Sequence, residues 1–329
     1  MTLQIGRADE TNASIETIGA ETKPANVADE VVATNMKGLR IEPPPGMAIE
    51  WDVDYLSPER KEKADLYLPT NTPAGQLRPA VLVIHGGGFN DGDKARPREI
   101  NFCTNLAAHG YVCMSINYKL SRPGARDKAT WPQCVHDAKT AIRWLRKNAG
   151  RLQIDPERIG AMGGSAGGNL AAMLATTGSK DGLEPDSPYA EYPTQVKCAI
   201  DFYGAVKLLE YHDMKMFAKT RTEAPDLYAK ASPVNYVDKG DAPILIAHGA
   251  TDKIVPIAQS EALVAAFNKA GVPCEFIALP DAPHTFSLQI KEKDLRPAVF
   301  SFLDRNLKQE KAVAANEKKA ASSGSTGPK

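Results

Sequence analysis

The sequence predicts an α/β fold, a mostly parallel twisted sheet of about eight strands with helices on both faces. Three observations carry that expectation. Short runs rich in apolar and β-branched residues alternate with longer segments of helical periodicity. One run, residues 80–84, is apolar throughout, as in a parallel strand covered on both faces. A glycine-flanked serine, Ser165, stands between an apolar strand run and a small-residue helix, the place where a chain turns sharply at the edge of such a sheet.

Taken in order, residues 49–55 and 64–68 read as an opening pair of strands, and 80–84 as the first buried one. The repeating unit follows. Residues 111–118 are a strand, 133–148 an amphipathic helix, 158–162 a strand, 166–177 a helix and 196–202 a strand. Residues 244–248 are the next strand, 257–270 a helix, 275–279 a strand and 295–307 a closing helix. Strands separated by helices imply right-handed crossovers, which place the carboxyl ends of the strands along one edge. One catalytic domain over 46–307 accounts for this pattern. Residues 1–45, poor in periodicity and closing on Pro43-Pro44-Pro45-Gly46, are expected to form an extended, poorly packed arm, and 308–329 a disordered tail. The polar, aromatic stretch 207–231 interrupts the strand-helix rhythm, and reads either as a lid over the carboxyl edge or as an ordinary crossover with long loops.

Composition narrows the function classes. Lys plus Arg and Asp plus Glu each number 40, so no net field draws the chain to nucleic acid or an anionic membrane. Cys103, Cys113, Cys134, Cys198 and Cys274 are odd in number and scattered through apolar runs, which suits reduced core thiols better than a disulfide framework or a metal site. There is no long apolar stretch to span a membrane and no signal-peptide pattern after Met1. The chain as given is therefore expected to be cytoplasmic, or secreted with its leader already removed. A monomer or a homodimer is expected.

Gly163-Gly164-Ser165-Ala166-Gly167 satisfies G-x-S-x-G in the strand-turn-helix setting that projects a serine hydroxyl from a strained backbone. It lacks the spacing and the Lys-Ser/Thr ending of a phosphate-binding loop. His85-Gly86-Gly87-Gly88-Phe89 follows directly on the run 80–84. Glycine lets backbone amides approach a developing oxyanion closely, so the amides of Gly87, Gly88 and Ala166 are the candidate oxyanion donors, with His85 a structural residue of the loop. Among six histidines, His284 sits in a proline-punctuated loop after the last strand, from which a side chain reaches the carboxyl edge. His109, His136, His212 and His248 fit packing or surface roles better. The acid should fall between serine and histidine in the chain, and Asp252, just past the strand 244–248, is preferred over Asp201 at the end of the preceding strand.

Together His85-Gly86-Gly87-Gly88-Phe89, Asn117-Tyr118-Lys119-Leu120, Gly163-Gly164-Ser165-Ala166-Gly167-Gly168, His248-Gly249-Ala250-Thr251-Asp252 and His284-Thr285-Phe286 resemble the α/β-hydrolase serine esterases. The resemblance is to bacterial carboxylesterases of the feruloyl and acetylxylan esterase kind and, more distantly, to the hormone-sensitive-lipase-like group. That lipase-like group usually carries an Asp just before the nucleophile, where this chain has Gly164. The resemblance implies hydrolysis of short acyl or hydroxycinnamoyl esters, free or linked to polysaccharide, by a Ser165-His284-Asp252 triad without metal or organic cofactor. Two rivals stand beside it. A peptidase of the prolyl-oligopeptidase type shares a similar catalytic domain but would need a propeller's length of chain before residue 80, and a catalytically silent binding module would have no need of a complete triad.

Overall fold

The carboxyl edge of a single eight-stranded sheet organises the molecule. The computed structural model describes residues 38–308 apart from 72, 74, 122–129, 187 and 292. Met47–Val53 (β1), Ala64–Pro69 (β2), Arg78–Ile84 (β3), Val112–Ile116 (β4), Ile154–Gly164 (β5), Ala199–Phe202 (β6), Ile244–Gly249 (β7) and Cys274–Leu279 (β8) pair in the order β1-β2-β4-β3-β5-β6-β7-β8. β1 and β2, and β2 and β4, are antiparallel; from β4 to β8 every pairing is parallel. The expected α/β sheet is thus the one observed, and each of its eight strands overlaps a run read from the sequence.

The helices are Pro97–Ala108 (α1), Gln133–Lys147 (α2), Ala149–Leu152 (α3), Ala166–Thr176 (α4), Pro225–Lys230 (α5), Ala258–Ala270 (α6) and Arg296–Leu303 (α7). Alternation along β3 explains how they are held. Ala80, Leu82 and Ile84 pack into one core with α2, α4 and α6, whereas Val81 and Val83 face the opposite core with α1 and α7. Successive side chains of a strand point to opposite faces, so a run apolar at every position must be covered twice. At about 25 cal/mol per Å² of apolar surface, these two layers supply the main drive to fold. The five thiols are free, four of them buried.

Two details differ from expectation. β5 begins at Ile154, because Ile154 already pairs with Arg78 of β3 before the main register starts at Ala80 and Ile159. Helix α1, absent from the elements read above, spans twelve residues and opens with Pro97, whose missing N–H costs nothing in a first turn. No helix among the described residues is long and apolar enough to cross a membrane. Of the expected arm, residues 1–37 lie outside the described residues, as do 309–329 of the expected tail; 38–45 carry no helix or strand.

β3 is the switch point: its successor β4 lies to one side and β5 to the other. Crevices open at such a reversal, above the carboxyl ends of the strands. Register sets the neighbours there, with Ile84 of β3 beside Gly163 of β5, Phe202 of β6 beside Gly164, and Gly249 of β7 beside Leu279 of β8.

Candidate active site

Ser165 occupies the turn between β5 and α4 with φ 59° and ψ −122°, a backbone state that costs on the order of 1–3 kcal/mol for a residue with a Cβ. Its N–H donates to the Phe202 carbonyl at 2.8 Å, and its own carbonyl accepts from Asn169 N–H at 3.0 Å, so the strained turn is held on both sides. The flanking glycines are required by space. A Cβ on Gly163 would lie 2.3 Å from the Gly167 carbonyl oxygen, and one on Gly167 would lie 2.0 Å from the Ile84 oxygen. Thus strand, turn and helix can close only with hydrogen at both positions.

The structure brings Ser165, His284 and Asp252 together. The Ser165 hydroxyl is 3.0 Å from His284 Nε2, and His284 Nδ1 is 2.6 Å from Asp252 Oδ2. Asp252 has no exposed side-chain surface. Its Oδ1 accepts from the amides of Ile254 and Val255 at 2.8 and 2.9 Å. The carboxylate obliges Nδ1 to carry the ring proton, which leaves Nε2 to accept from the serine. Burial holds the His284 pKa below the ordinary histidine value, against the raising influence of Asp252, so the ring is neutral at pH 7. The rival Asp201 points elsewhere. Its Oδ1 accepts from Gly204 N–H at 2.8 Å, and burial pushes its pKa up to about 7.

Gly87, Gly88 and Ala166 line the same cleft of about 660 Å³ as Ser165 and His284. Gly87 adopts φ 120°, and a Cβ there would lie 2.1 Å from the Asp91 oxygen. Ala166 opens α4, so its amide belongs to the electropositive helix end. His85 is fully buried, stacks on Tyr118 at 4.4 Å and is 2.7 Å from the Gly86 oxygen. Burial lowers its pKa to about 4, so it is a neutral brace for the loop.

Two contributors, Tyr203 and Arg98, escaped the sequence reading. Tyr203 packs its ring 4.9 Å from that of His284 and donates its hydroxyl proton to the Phe286 carbonyl at 3.1 Å. It also explains Gly164, since a Cβ there would meet the Tyr203 hydroxyl at 2.8 Å. Arg98 of α1, held by Glu99, donates to that same hydroxyl at 3.0 Å and lines the cleft. His248, expected in a packing or surface role, is fully buried and lies 3.2 Å from Asp252 Oδ2, with Nδ1 2.7 Å from the Ser260 hydroxyl. The contacts of Arg98, Tyr203 and His248 leave no local pattern in the sequence.

The segment 207–231 contributes Tyr211, His212 and Met214 to the cleft wall. It is anchored rather than loose at its centre, where Met216, Phe217 and Tyr228 are buried. The Tyr211 hydroxyl donates to the Ile254 carbonyl at 2.7 Å, tying the segment to the Asp252 loop.

A serine on a strand-turn-helix at the carboxyl edge of such a sheet, followed along the chain by an aspartate and a histidine that reach it, is the layout of the α/β-hydrolases. Within that class the chain belongs to the BD-FAE family, whose sequence profile matches residues 64–267. Esterase LipQ of Mycobacterium tuberculosis is 31% identical over 265 residues, covering 77% of this chain and 61% of LipQ. The chain thus spans about three fifths of that relative's length. A truncated carbohydrate esterase from gut microbiota superposes with a TM-score of 0.72 at 26% identity, over 80% of this chain and 97% of that one. Est2, an esterase of Thermogutta terrifontis, superposes with a TM-score of 0.65 at 27% identity, over 79% and 92%. Est2 has also been solved with butyrate bound and phosphorylated by paraoxon.

Proposed function

We propose that this protein is a serine carboxylesterase acting on short acyl or hydroxycinnamoyl esters. The observation that carries this reading is the continuous hydrogen-bonded line from Ser165 through His284 to Asp252, opening into a cleft shared with Gly87, Gly88 and Ala166. In the first step Ser165 Oγ attacks the ester carbonyl carbon and its proton passes to His284 Nε2. The oxyanion that forms is held by the amides of Gly87, Gly88 and Ala166, each donor worth roughly 3 kcal/mol in a dry site. The C–O bond then breaks, and the alcohol leaves with the proton from His284. Water, deprotonated by the same nitrogen, attacks the acyl-enzyme and releases the acid. Tyr211, Met214, Ile254 and Val255 offer an apolar wall for the acyl group. The esterase relatives, Est2 with its bound butyrate among them, support the same substrate class.

Hydrolysis of p-nitrophenyl esters from acetate to octanoate, with methyl ferulate beside them, tests the reading. Turnover is expected on acetate, butyrate or ferulate, declining along the longer chains. Folded protein that cleaves none of them would leave the fold standing and overturn the esterase.

The pH profile should report His284. Only its neutral form accepts the serine proton, and burial lowers its pKa. The acid limb of kcat/KM is therefore expected to have its midpoint below the ordinary histidine value of about 6.5, with a plateau at neutral pH. A midpoint above that value would contradict the assignment of the base.

A further inference from the structure

A second groove, of about 680 Å³, adjoins the catalytic cleft. Asn90 lines both, and along the segment 207–231 Met214 faces the cleft while its neighbour Lys215 faces the groove. Three lysines border the groove: Lys61 from the turn between β1 and β2, Lys119 after β4, and Lys215. They come from three separate parts of the chain, and the fold alone gathers them. All three side chains are exposed, and none stands in an ion pair among the described residues.

Two carboxylates also border the groove, and each lies against an arginine, that of Glu62 being shared with the buried Asp137. Glu62 lies 2.8 Å from Arg60, and Asp91 2.5 Å from Arg96. Arg60, Arg96 and the three lysines stand against Glu62, Asp91 and Asp137, five positive charges to three negative, and that surplus sets the sign of the field in the groove. Positive charge lining a concave surface concentrates anions there. Lysine presents a mobile point charge without the planar fork of arginine, which suits a group carrying several charges in no single geometry. The cleft itself is apolar at Tyr211, Met214, Ile254 and Val255, where an acyl group fits. The groove past Asn90 sets Asn117 and the three lysines along its wall, which fits a hydroxylated alcohol.

We propose that this groove is the subsite for the alcohol part of the ester, and that Lys61, Lys119 and Lys215 select alcohols bearing negative charge, such as acidic oligosaccharides. This rests on the esterase reading above and adds the substrate class to it. The chemistry of acyl transfer is unchanged; the lysines act on binding and on how the ester is presented to Ser165.

The test compares kcat/KM for acetylated trigalacturonic acid with that for acetylated galactotriose, its neutral counterpart, at low ionic strength and again at about 0.5 M salt. A second pair places the charge on the acyl side: the p-nitrophenyl half-ester of glutaric acid against p-nitrophenyl butyrate. Wild-type protein is expected to favour the acidic trisaccharide by about tenfold or more at low salt, with the ratio falling toward one at high salt. Each of K61Q, K119Q and K215Q should lower the ratio by about two- to fivefold, the range for single exposed charges, and the triple variant should bring it near one. The proposal is overturned by a wild-type ratio near one, by a ratio that survives the triple substitution, or by a charge preference confined to the acyl-side pair. It is equally overturned if p-nitrophenyl butyrate is cleaved while neither trisaccharide is. Failure of all four esters would instead remove the esterase reading itself, so the two failures are distinguishable.

Discussion

Replacing Ser165 by alanine is expected to lower kcat on p-nitrophenyl butyrate by roughly 10⁴- to 10⁶-fold, the scale on which loss of the nucleophile acts when it works as a unit with its base. Alanine keeps the Cβ, so the strained turn at φ 59° and its bonds to Phe202 and Asn169 are retained, and the variant should fold and melt close to wild type. Paraoxon provides an independent readout. Wild-type protein should take up one diethylphosphoryl group, detected by intact mass; Est2 is itself phosphorylated by paraoxon. Ser165→Ala should take up none. Labelling of the variant, or residual activity within tenfold of wild type, would place the nucleophile elsewhere.

The second large effect separates the two candidate acids. Asp252→Asn should cost about 10⁴-fold in kcat with little change in KM. An amide group facing His284 Nδ1 at 2.6 Å can present its N–H₂ there, which favours the tautomer with the proton on Nε2, the wrong nitrogen for accepting from Ser165. Asp201→Asn should retain activity to within about tenfold, because its carboxyl bonds Gly204 and is raised to about 7 by burial. The carboxyl of Asp201 is partly protonated at neutral pH, so an amide resembles what the site already tolerates. A reversed pattern, with Asp201→Asn inactive and Asp252→Asn active, would reassign the acid.

The arginine and tyrosine beside the histidine illustrate a different level of organisation. Arg98 reaches Tyr203 across 105 positions of chain, and Tyr203 supports the His284 loop 83 positions further on. Tyr203 occupies the space that a side chain at 164 would need. Gly164, which in the sequence is only a departure from the lipase-like pattern, is in the structure the counterpart of a tyrosine.

What the sequence alone determined is whatever depends on neighbours along the chain. The run 80–84 declared a strand covered on both faces, because every position was apolar. Gly163, Ser165 and Gly167 declared a tight strand-turn-helix, because small residues at that spacing answer a steric demand made within five residues. The triple glycine after β3 and the histidine loop after β8 were legible for the same reason, each being a loop signal directly following a strand signal. The tertiary structure decided what depends on register between distant strands. Asp201 lies at the end of β6 and Asp252 just past β7, and only the parallel pairing of β7 with β8 sets the Asp252 loop against the His284 loop. His248 beside Asp252, the Tyr203 brace and the gathering of Lys61, Lys119 and Lys215 around one groove follow from the same cause. Local chemistry constrains the backbone of a few residues at a time, whereas which side chains meet across a sheet is settled by the packing of the whole chain.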